Sequence, residues 1–402
     1  WEQRKLGEIC DFITKGATPT TYGFSWQPDG VPFFRNDSIK DNVFVFGEFS
    51  YISEAANEVL KRSEVHGNDI LIAITGDIGK VGIIPDTVEK ANINQHIARV
   101  RIRKEALPYF VYQYLASDDT QKEYQKIKTG LSMPQLSLEQ VRDIVVKIPE
   151  FNEQGKIADC LRRIDTLITL HQRKHEKLVN IKKSMLDKMF PQNGVSVPEI
   201  RFKGFTDPWE QRKLGDISEI KTGPFGSTLH ADDYVSDGIP IITTEHFKTG
   251  SLPIDKCGLP QVSENDFSRL SAYILNAGDI VFSRVGSVDI NALITPFQST
   301  WLFSGRVLRV RPQNKNSSQF LHTLLETEDV KNDIRTRAVG QTMPSINTEI
   351  LKTTPLRLPE STLEQEQLGK YFLNLDTLIT LHQRKLEKLQ NIKKSCLEKM
   401  FV

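Results

Sequence analysis

Two stretches of the chain, residues 153–190 and 364–401, carry apolar side chains at alternating steps of three and four residues. This heptad spacing puts them on one narrow stripe of an α-helix, and both stretches lack Pro and are rich in strong helix formers. A single helix cannot bury such a stripe by itself, so we predict two long helices that pack against each other. The stripe consists of Ile157, Leu161, Ile164, Ile168, Leu178, Met185 and Met189 in the first stretch and of Leu368, Phe372, Leu375, Ile379, Leu386, Leu389, Cys396 and Met400 in the second.

The two helical stretches are near-copies of each other, and the repetition covers the whole chain. The opening WEQRKLGEI at Trp1 returns as WEQRKLGDI at Trp209, and a Met-Pro pair occurs at Met133 and again at Met343. The chain is therefore a tandem duplication of a globular part followed by a helix. We expect a first globular domain at 1–152, a helix at 153–190, a linker at 191–208, a second globular domain at 209–363 and a second helix at 364–402.

Each globular part mixes short strands with helices. NDILIAIT from Asn68 and GDIVFSRV from Gly278 have the length and the β-branched composition of strands, and HIARVRIR from His96 alternates arginine with apolar residues. The pattern predicts an α+β fold, a tandem pseudo-repeat of two globular domains separated by two long helices. We expect these helices to pair as an antiparallel coiled coil, because parallel packing would put both globular parts at the same end.

Composition is that of a soluble globular protein, with 402 residues of which 39% are hydrophobic and 26% charged. The sequence has no apolar run long enough to span a bilayer and no secretory signal, so a cytoplasmic location is expected.

The four cysteines have neither metal-ligand nor redox spacing, and we expect reduced, buried thiols. The second WEQRKLG opening follows the leader VPEIRFKGFTDP, and we expect an equivalent segment before Trp1.

Candidate catalytic motifs fail on their chemistry. GDIGKVG at Gly76 resembles a phosphate loop, but its glycines stand too close together and Val81 occupies the place of the magnesium-binding Ser or Thr. His171 and His175 lie one helical turn apart, yet Leu386 replaces the second histidine in the other copy, which favours ordinary seam or surface histidines over a metal pair. No cofactor loop, methyltransferase motif or nucleophile elbow is present. We therefore predict no catalytic residue, no cofactor and no metal.

The repeated motifs resemble those of the specificity subunits of type I restriction–modification enzymes. They are the WEQRKLG openings, the loops with Met-Pro, the Glu-Gln pairs at Glu153 and Glu364, and the DTLITLHQRK segments of the helices. In that family two target-recognition domains, held apart by an antiparallel pair of helices, each read one half of a split sequence in double-stranded DNA. The resemblance implies a non-catalytic reader on which two modification (methyltransferase) subunits dock. Methyl transfer, ATP hydrolysis and cleavage would then belong to those modification subunits and to the restriction subunits.

Charge adds only local candidates for DNA contact, because neither globular part is basic overall, unlike many autonomous DNA-binding domains. Phosphate affinity must then come from local patches or from partners. The arginines of the alternating strands, such as Arg99, Arg101, Arg309 and Arg311, suit either a phosphate patch or an ordinary strand face. Lys128 and Arg337 are better candidates, because each precedes a Gly-containing polar loop that could approach a phosphate backbone.

Residues that differ between the two copies while their flanks match are candidates for reading bases. Arg suits guanine and Asn or Gln suits adenine in the major groove, although neutral drift in surface loops would produce the same pattern. With the two phosphate candidates, the predicted DNA-binding residues are Arg35, Asn36, Thr75, Lys80, Asn94, Gln95, His96, Lys128 and Ser132 in the first copy and Thr243, Thr244, Arg284, Ser287, Ser304, Arg306, Arg337, Gln341 and Thr342 in the second.

Two other classes of function stay open at this point. A coiled-coil scaffold without DNA reading would explain the helices but not two divergent globular parts, and a self-contained modification enzyme would need a cofactor site. Sequence-selective DNA binding that requires a methyltransferase partner would identify the reader. The basic faces of the helices, 171–177 and 382–388, are candidates for partner docking or for plain solvated surface.

Overall fold

The computed structural model describes residues 1–47, 49–130, 132–192, 194–224, 228–313 and 316–401. The chain forms two compact units. Unit 1 consists of residues 1–172 and 384–402, and unit 2 consists of residues 173–383. Each unit therefore contains the globular part of one repeat together with segments of both long helices.

Unit 1 is built around an antiparallel sheet of four strands, in the order Cys10–Lys15, Ile97–Ile102, Ile70–Ala73 and Val81–Ile83. In the inner strand Ile97–Ile102, Val100 lies opposite Ile13 on one side and Ile70 on the other. A mixed sheet follows, in the order Ser50–Ile52, Val31–Phe34, Ala91–Ile93 and Glu64–Val65, and two short antiparallel ribbons pair Glu2–Lys5 with Val145–Ile148 and Ile39–Lys40 with Val43–Phe44.

The helices of unit 1 follow the pattern of their apolar faces and caps. Ser53, Ser117 and Ser137 each cap a helix by accepting a backbone N–H of its first turn, so the helices begin directly after them. The helices are Glu54–Val59, Pro108–Leu115, Asp118–Ile127, Leu138–Asp143 and the first long helix Phe151–Met189, with 3-10 turns at Leu6–Glu8, Pro19–Tyr22, Asn36–Ser38 and Lys61–Ser63.

Unit 2 repeats the antiparallel sheet, but its mixed sheet differs at both ends. Tyr234–Val235 forms one edge, and the counterpart of Glu64–Val65 at the other edge is only a bridge between Ile274 and Leu302. Its antiparallel sheet has the order Ser218–Thr222, Val307–Pro312, Ile280–Ser283 and Asn291–Leu293, and its mixed sheet the order Tyr234–Val235, Gln261–Val262, Ile239–Ile242 and Leu302–Phe303, with Glu210–Lys213 paired to Pro355–Leu358. Its helices are Leu214–Ile217, Glu264–Arg269, Ser318–Leu325, Glu328–Arg337, Thr348–Lys352 and the second long helix Thr362–Met400, with 3-10 turns at Ala231–Asp233, Thr244–Phe247 and Ser271–Tyr273. The predicted α+β pseudo-repeat is confirmed.

In unit 1 the first turns of one long helix pack beside the last turns of the other. Leu161, which is 0% exposed, belongs to the same apolar cluster as Leu397 and Met400. The ring of Phe401 contacts those of Trp1 and Tyr114, with centroids 6.2 and 5.3 Å away. Because the start of one helix meets the end of the other, the two run antiparallel here.

Unit 2 contains the complementary arrangement. Phe372, the counterpart of Leu161 in the repeat, is also 0% exposed and shares a cluster with Met189 and Phe190. The Phe190 ring lies 5.9 Å from Phe320 and 5.7 Å from Trp209. The end of the first long helix thus packs on the start of the second, and the predicted antiparallel pairing is confirmed.

One ion pair between the long helices is made twice, once in each unit. Lys393 lies 2.8 Å from Asp165 in unit 1, and Lys182 lies 2.7 Å from Asp376 in unit 2. The two lysines occupy equivalent positions of the repeat, and so do the two aspartates. Burial acts to lower the pKa of Lys182, but the nearby carboxylates of Glu326 and Asp376 raise it overall, so this side chain stays charged.

The repeated Glu-Gln pair marks the place where each long helix leaves its globular part. In unit 1 the buried Gln154 accepts the N–H of Leu107 at 2.9 Å and donates to the carbonyl of Pro149 at 3.0 Å. In unit 2 Gln365 makes the equivalent bonds to Ser317 and to Pro359. The buried amide satisfies backbone groups that the start of the helix would otherwise leave unpaired.

The prediction that the cysteines are buried is only partly right. All are free thiols, and Cys10 is buried, which raises the pKa of its thiol to about 12. Cys160 and Cys257, however, are exposed. Cys160 belongs to the first long helix but lies one position before the buried Leu161, and therefore off the apolar stripe.

None of the helices that the structure describes combines the length and the apolar character needed to span a membrane.

We predict that Leu161→Asp destabilises the protein strongly, because it places an unpaired carboxylate in the fully buried seam of unit 1, at a cost of several kcal/mol. Leu170→Asp is the matched control, since Leu170 lies on the same helix but is 45% exposed. Denaturant unfolding of both variants measures the difference. Equal midpoints for the two would contradict the helix pairing described here.

Candidate nucleic-acid interface

The loops that carry the predicted residues of unit 1 meet at one edge of the fold. The neighbouring strands Val31–Phe34 and Ala91–Ile93 are parallel, so both end at the same edge and the loops after them lie side by side. The N–H of Asn94 donates to the carbonyl of Phe34 at 3.2 Å. Asn36 reaches from one loop to the next, where its side-chain amide donates to the carbonyl of Thr75 at 3.0 Å.

Backbone hydrogen bonds add the remaining loops to this edge. The N–H of Ile74 donates to the carbonyl of His96 at 2.9 Å, and the N–H of Gly76 donates to that of Pro134 at 3.0 Å. Thr75 forms a β-bridge with Gln135. We call residues 35–38, 75–80, 94–96, 128–130 and 132–135 the edge loops of unit 1, and they contain all the DNA-binding residues predicted for the first copy.

Arg35 is held in place while it remains exposed. Its guanidinium lies over the ring of Trp26, 4.8 Å from the centroid, and donates to the hydroxyl of Ser50 at 2.8 Å. Its backbone N–H donates to Ser38, three residues ahead, which fixes the 3-10 turn Asn36–Ser38. Among the described residues we find no other hydrogen bond from this guanidinium. Several of its N–H groups are therefore available to donate to a ligand.

The 94–96 loop presents a row of amide and imidazole groups. Gln95 is exposed, accepts a hydrogen bond from the hydroxyl of Thr18 at 2.5 Å and contacts His96 at 3.1 Å. Asn94 accepts the N–H of His96 at 3.1 Å. The row is therefore pre-ordered by its own contacts, as a group that selects among hydrogen-bonding partners needs to be.

Three predicted residues at the rim of this edge make only weak contacts with the rest of unit 1; they are Lys80, Lys128 and Ser132. Lys80 pairs with Asp77 at 2.9 Å, and the exposed Lys128 donates to Gln125 at 2.9 Å. Ser132 is also exposed. Exposed pairs of this kind contribute little to stability, so these side chains can exchange their partners for a ligand.

In unit 2 the equivalent loops line a cleft of about 710 Å³. The N–H of Ser304 donates to the carbonyl of Ile242 at 2.9 Å, and the N–H of Arg284 donates to that of Arg306 at 3.0 Å, as at the equivalent positions of unit 1. The cleft brings together five of the predicted residues, namely Thr243, Thr244, Arg284, Ser304 and Arg306. Ser287, Gln341 and Thr342 are exposed on the loops next to it, where Gly286 donates to Pro344 at 2.8 Å.

Arg284 occupies the position that the buried Ile74 has in unit 1. Its N–H group on Nη1 donates to the carbonyl of Gly305 at 3.1 Å. The two residues make the same backbone contacts, since Leu136 donates to the carbonyl of Ile74 and Ile346 to that of Arg284, each at 2.9 Å. One backbone position therefore carries a core side chain in unit 1 and a cleft-lining arginine in unit 2.

Arg337 is engaged inside unit 2. Its guanidinium donates to the carbonyl of Ile350 and to Thr353, each at 2.9 Å, to Thr354 at 2.6 Å, and to the carbonyl and carboxylate of Asp333. These contacts use every N–H donor of the side chain. In this conformation Arg337 joins two helices and has no donor left for a phosphate. Lys128 differs, because it is exposed.

The arginines of the alternating strands are likewise structural. Arg101 forms a bidentate pair with Asp69 at 2.7 and 2.6 Å, and Arg311 forms the equivalent pair with Asp279 at 2.7 Å. Both aspartates are buried, and so are Arg99 and Arg309. In this structure these arginines form neither a phosphate patch nor an ordinary solvated strand face, because they are buried or paired with buried carboxylates.

Sequence reasoning missed the residues that hold the predicted readers in place. Trp26 and Ser50 contact Arg35 from 9 and 15 positions away, and Thr18 contacts Gln95 from 77 positions away. In unit 2 His246 accepts the N–H of Thr243 at 3.1 Å, and burial lowers its pKa and so favours the neutral imidazole that can accept this bond. Among these residues only Trp26, an aromatic in a Gly- and Pro-rich polar segment, has a signal in the sequence.

Nothing among the described residues forms a group of three or more His, Cys, Asp or Glu side chains that could hold a metal ion. The arrangement can instead present hydrogen-bond donors and acceptors to a large polar surface. Both units place exposed arginine, amide or hydroxyl side chains along one edge on a shared backbone frame. Such an edge matches the base edges of a nucleic-acid groove.

A family model described as the type I restriction modification DNA specificity domain matches residues 1–180 and 206–391. The type I restriction enzyme MjaVIII specificity subunit of Methanocaldococcus jannaschii is 23% identical over 410 residues, covering 98% of this chain and 90% of that protein. The EcoBI specificity subunit of Escherichia coli is 29% identical over 165 residues, covering 40% of this chain and 34% of that protein.

Solved structures agree on the fold. The S subunit of a type I restriction–modification system from M. genitalium aligns with a TM-score of 0.65 at 16% identity, covering 100% of this chain and 96% of that one. A chain from a structural study of complex assembly and conformational transition of the type I R-M system aligns with a TM-score of 0.50, also at 16% identity, covering 100% of this chain and 97% of that one.

We predict that Arg101→Ala lowers the free energy of unfolding by about 3–5 kcal/mol, because it leaves the Asp69 carboxylate, 2% exposed, without its charge partner. Lys128→Ala is the control and should leave stability unchanged, since Lys128 is exposed. Urea denaturation of the two variants tests this. An Arg101→Ala variant as stable as wild type would show that the arginine does not hold the sheet together.

Proposed function

The chain belongs to the family of type I restriction–modification DNA specificity proteins, and we propose that it selects a DNA target in two parts, one half-site per unit. The observation that supports this is the edge described above. The two units share its backbone connections but not its side chains. Recognition of two different half-sites requires the same backbone framework in both units with different base-contacting side chains on it.

The two edges offer different base chemistry. Unit 1 presents one arginine, Arg35, with the amides of Asn94 and Gln95, and amides match the adenine edge in the major groove. Asn36 is not presented in this conformation, since its amide nitrogen donates to the carbonyl of Thr75 and its amide oxygen is buried. Unit 2 presents the arginines of its cleft, which match guanine, among threonine and serine hydroxyls. We therefore propose that adenine contributes more to the half-site of unit 1 and guanine more to that of unit 2.

Methyl transfer, ATP hydrolysis and DNA cleavage belong, in this proposal, to partner subunits, and this chain contributes recognition. Its relatives are named specificity subunits, which describes recognition rather than catalysis. A scaffold without DNA reading would not need two edges that differ in hydrogen-bonding chemistry. A self-contained modification enzyme would bind a methyl donor without any partner, which equilibrium dialysis of the purified chain can test.

The long helices offer repeated surfaces for partner subunits. Leu167 and Leu170 are 43% and 45% exposed, and their repeat counterparts Leu378 and Leu381 are 43% and 44% exposed. In each copy the two exposed leucines lie one helical turn apart and form a small apolar patch, and exposed apolar patches are candidate binding surfaces. We propose that each pair receives one modification subunit, so that two such subunits dock, and that restriction subunits join the resulting complex.

We predict that target choice is modular. Exchange of residues 209–360 for the equivalent segment of a relative should change one block of the recognised sequence and leave the other intact. Mapping of methylated sites in genomic DNA, in cells with and without the chain, measures both blocks. The unexchanged chain is the control, and a change in both blocks at once would show that the units do not read separately.

We predict that Arg35→Ala relaxes one base position of the first half-site, because a bidentate contact from arginine to guanine contributes about 1–3 kcal/mol of discrimination. Lys128→Ala should instead weaken binding to all sequences alike and reduce the dependence of binding on salt. Selection of bound sequences from a random library separates the two effects.

The control for both variants is Arg4→Ala, an arginine of unit 1 that pairs with Glu8 away from the edge loops. It should bind with unchanged sequence preference. If Arg35→Ala kept full discrimination at every position, Arg35 would not be a base reader.

A further inference from the structure

Two of the five methionines lie fully outside the apolar core, at equivalent places in the two units. Met133 is 58% exposed and Met343 is 67% exposed, and each is followed by a proline. The other three methionines lie on the long helices and pack into the apolar clusters. This apolar side chain is exposed at the same position in both copies although neighbouring loop residues have diverged, which makes it a candidate contact.

The loops that carry these methionines have the same closure in both units. In unit 1 Thr129 and Gln135 exchange two backbone hydrogen bonds of 2.9 and 2.8 Å, and in unit 2 Val339 and Ser345 exchange two of 2.9 Å. Besides this frame the two loops share a glycine, a hydroxyl residue and the Met-Pro pair, whereas Gln135 in unit 1 is replaced by Ser345 in unit 2. The methionine is thus presented in the same way to whatever each unit binds.

A glycine in each loop keeps the methionine at the tip. Gly130 has φ +83° and Gly340 has φ +101°, a backbone conformation that L side chains rarely adopt. A Cβ at these glycines would lie 2.6 Å from the carbonyl oxygen of Met133 and 2.9 Å from that of Met343. Any other residue would push the Met-Pro pair away, so the glycines support the exposed position.

Each methionine loop is joined to the loops that carry the predicted base readers. Gly76 donates to Pro134 at 3.0 Å, and Gly286 donates to Pro344 at 2.8 Å. In unit 1 the exposed Lys128 stands one residue before the closure of the loop. A ligand that meets the edge loops would meet the methionine as well, and the nearby cation favours a polyanion over the apolar surface of a protein.

We propose that Met133 and Met343 are apolar wedges, each of which enters between neighbouring base pairs of the DNA half-site that its unit reads. Methionine and proline are among the side chains that proteins bound in the minor groove insert between base steps, which unstacks the step and kinks the duplex, and the stacking faces are also open to the major groove. The wedge explains why an apolar tip is common to both units while the surrounding polar groups differ, since every base step has stacking faces to insert between. The proposal rests on the DNA reading proposed above.

The test uses the full chain assembled with its modification subunits. The fluorescent base 2-aminopurine is placed at successive positions across each half-site and its flanks, except at the base that is modified, and its fluorescence rises where it unstacks. Wild type should give a rise at one step in each half-site. Met133→Ala should remove more than half of the rise in the first half-site only, and Met343→Ala more than half of that in the second only.

Affinity and two further variants complete the experiment. Each alanine variant should bind all sequences roughly fivefold to tenfold more weakly, with unchanged base preference, because an apolar contact is lost. Met133→Leu should keep the fluorescence rise, because leucine can also act as a wedge. Val145→Ala is the matched control, since Val145 is an apolar residue of unit 1 that is 48% exposed outside the edge loops, and it should change neither signal.

The possible outcomes separate this proposal from the proposed function. A complex that selects its target but shows equal fluorescence with and without the methionines overturns the wedge and leaves DNA reading intact. The alanine variants could instead lose their modification subunits, while the complexes that stay assembled keep their fluorescence rise. This result would show that the two methionines contact protein rather than DNA, and it would also overturn the wedge. A wild-type complex without any sequence preference contradicts the proposed function itself.

Discussion

The burial of one apolar stripe per long helix is the constraint on which the rest of the structure depends. Neither helix can bury its stripe alone, and the repeat supplies a second stripe of the same spacing. Unit 1 therefore includes residues 384–402 from the end of the chain, and unit 2 includes residues 173–190 from the first repeat. Each globular part is therefore completed by a helix segment that the other repeat encodes.

The ion pairs on this seam show how the repeat keeps a contact while its surroundings change. Asp165 pairs with Lys393 and also accepts hydrogen bonds from Tyr109 and Gln113, each at 2.7 Å. In unit 2 the equivalent lysine, Lys182, shares its charge between Asp376 and Glu326, each at 2.7 Å. In unit 1 the phenol of Tyr109 and the amide of Gln113 add to the stabilisation of the Asp165 carboxylate. In unit 2 the carboxylate of Glu326 adds to the stabilisation of the Lys182 ammonium group.

The same separation of frame and contact governs the candidate interface. Parallel strands that end at one edge, and the backbone hydrogen bonds that tie the edge loops together, are the same in both units. The side chains on this frame differ in kind, most clearly where the buried Ile74 is replaced by Arg284. Because this frame consists mainly of backbone hydrogen bonds, most of these side chains can change without unfolding the unit, and recognition can differ between units of one fold. Asn36 is an exception, since its side chain bonds the carbonyl of Thr75.

The sequence by itself determined the duplication, the α+β class, the two helices and their pairing, because heptad spacing and repeated motifs are local patterns that survive without tertiary information. It also indicated which loops diverge. Only the tertiary structure decided which arginines are available to bind a ligand. Arg35 is exposed and stacks on Trp26, whereas Arg337 and Arg101 use their N–H donors in hydrogen bonds within the fold. Their partners lie 4 to 32 positions away along the chain, and a charge count cannot reveal whether a guanidinium is already paired. The exposure of Met133 and Met343 likewise depends on packing, since the same residue type fills the core on the long helices.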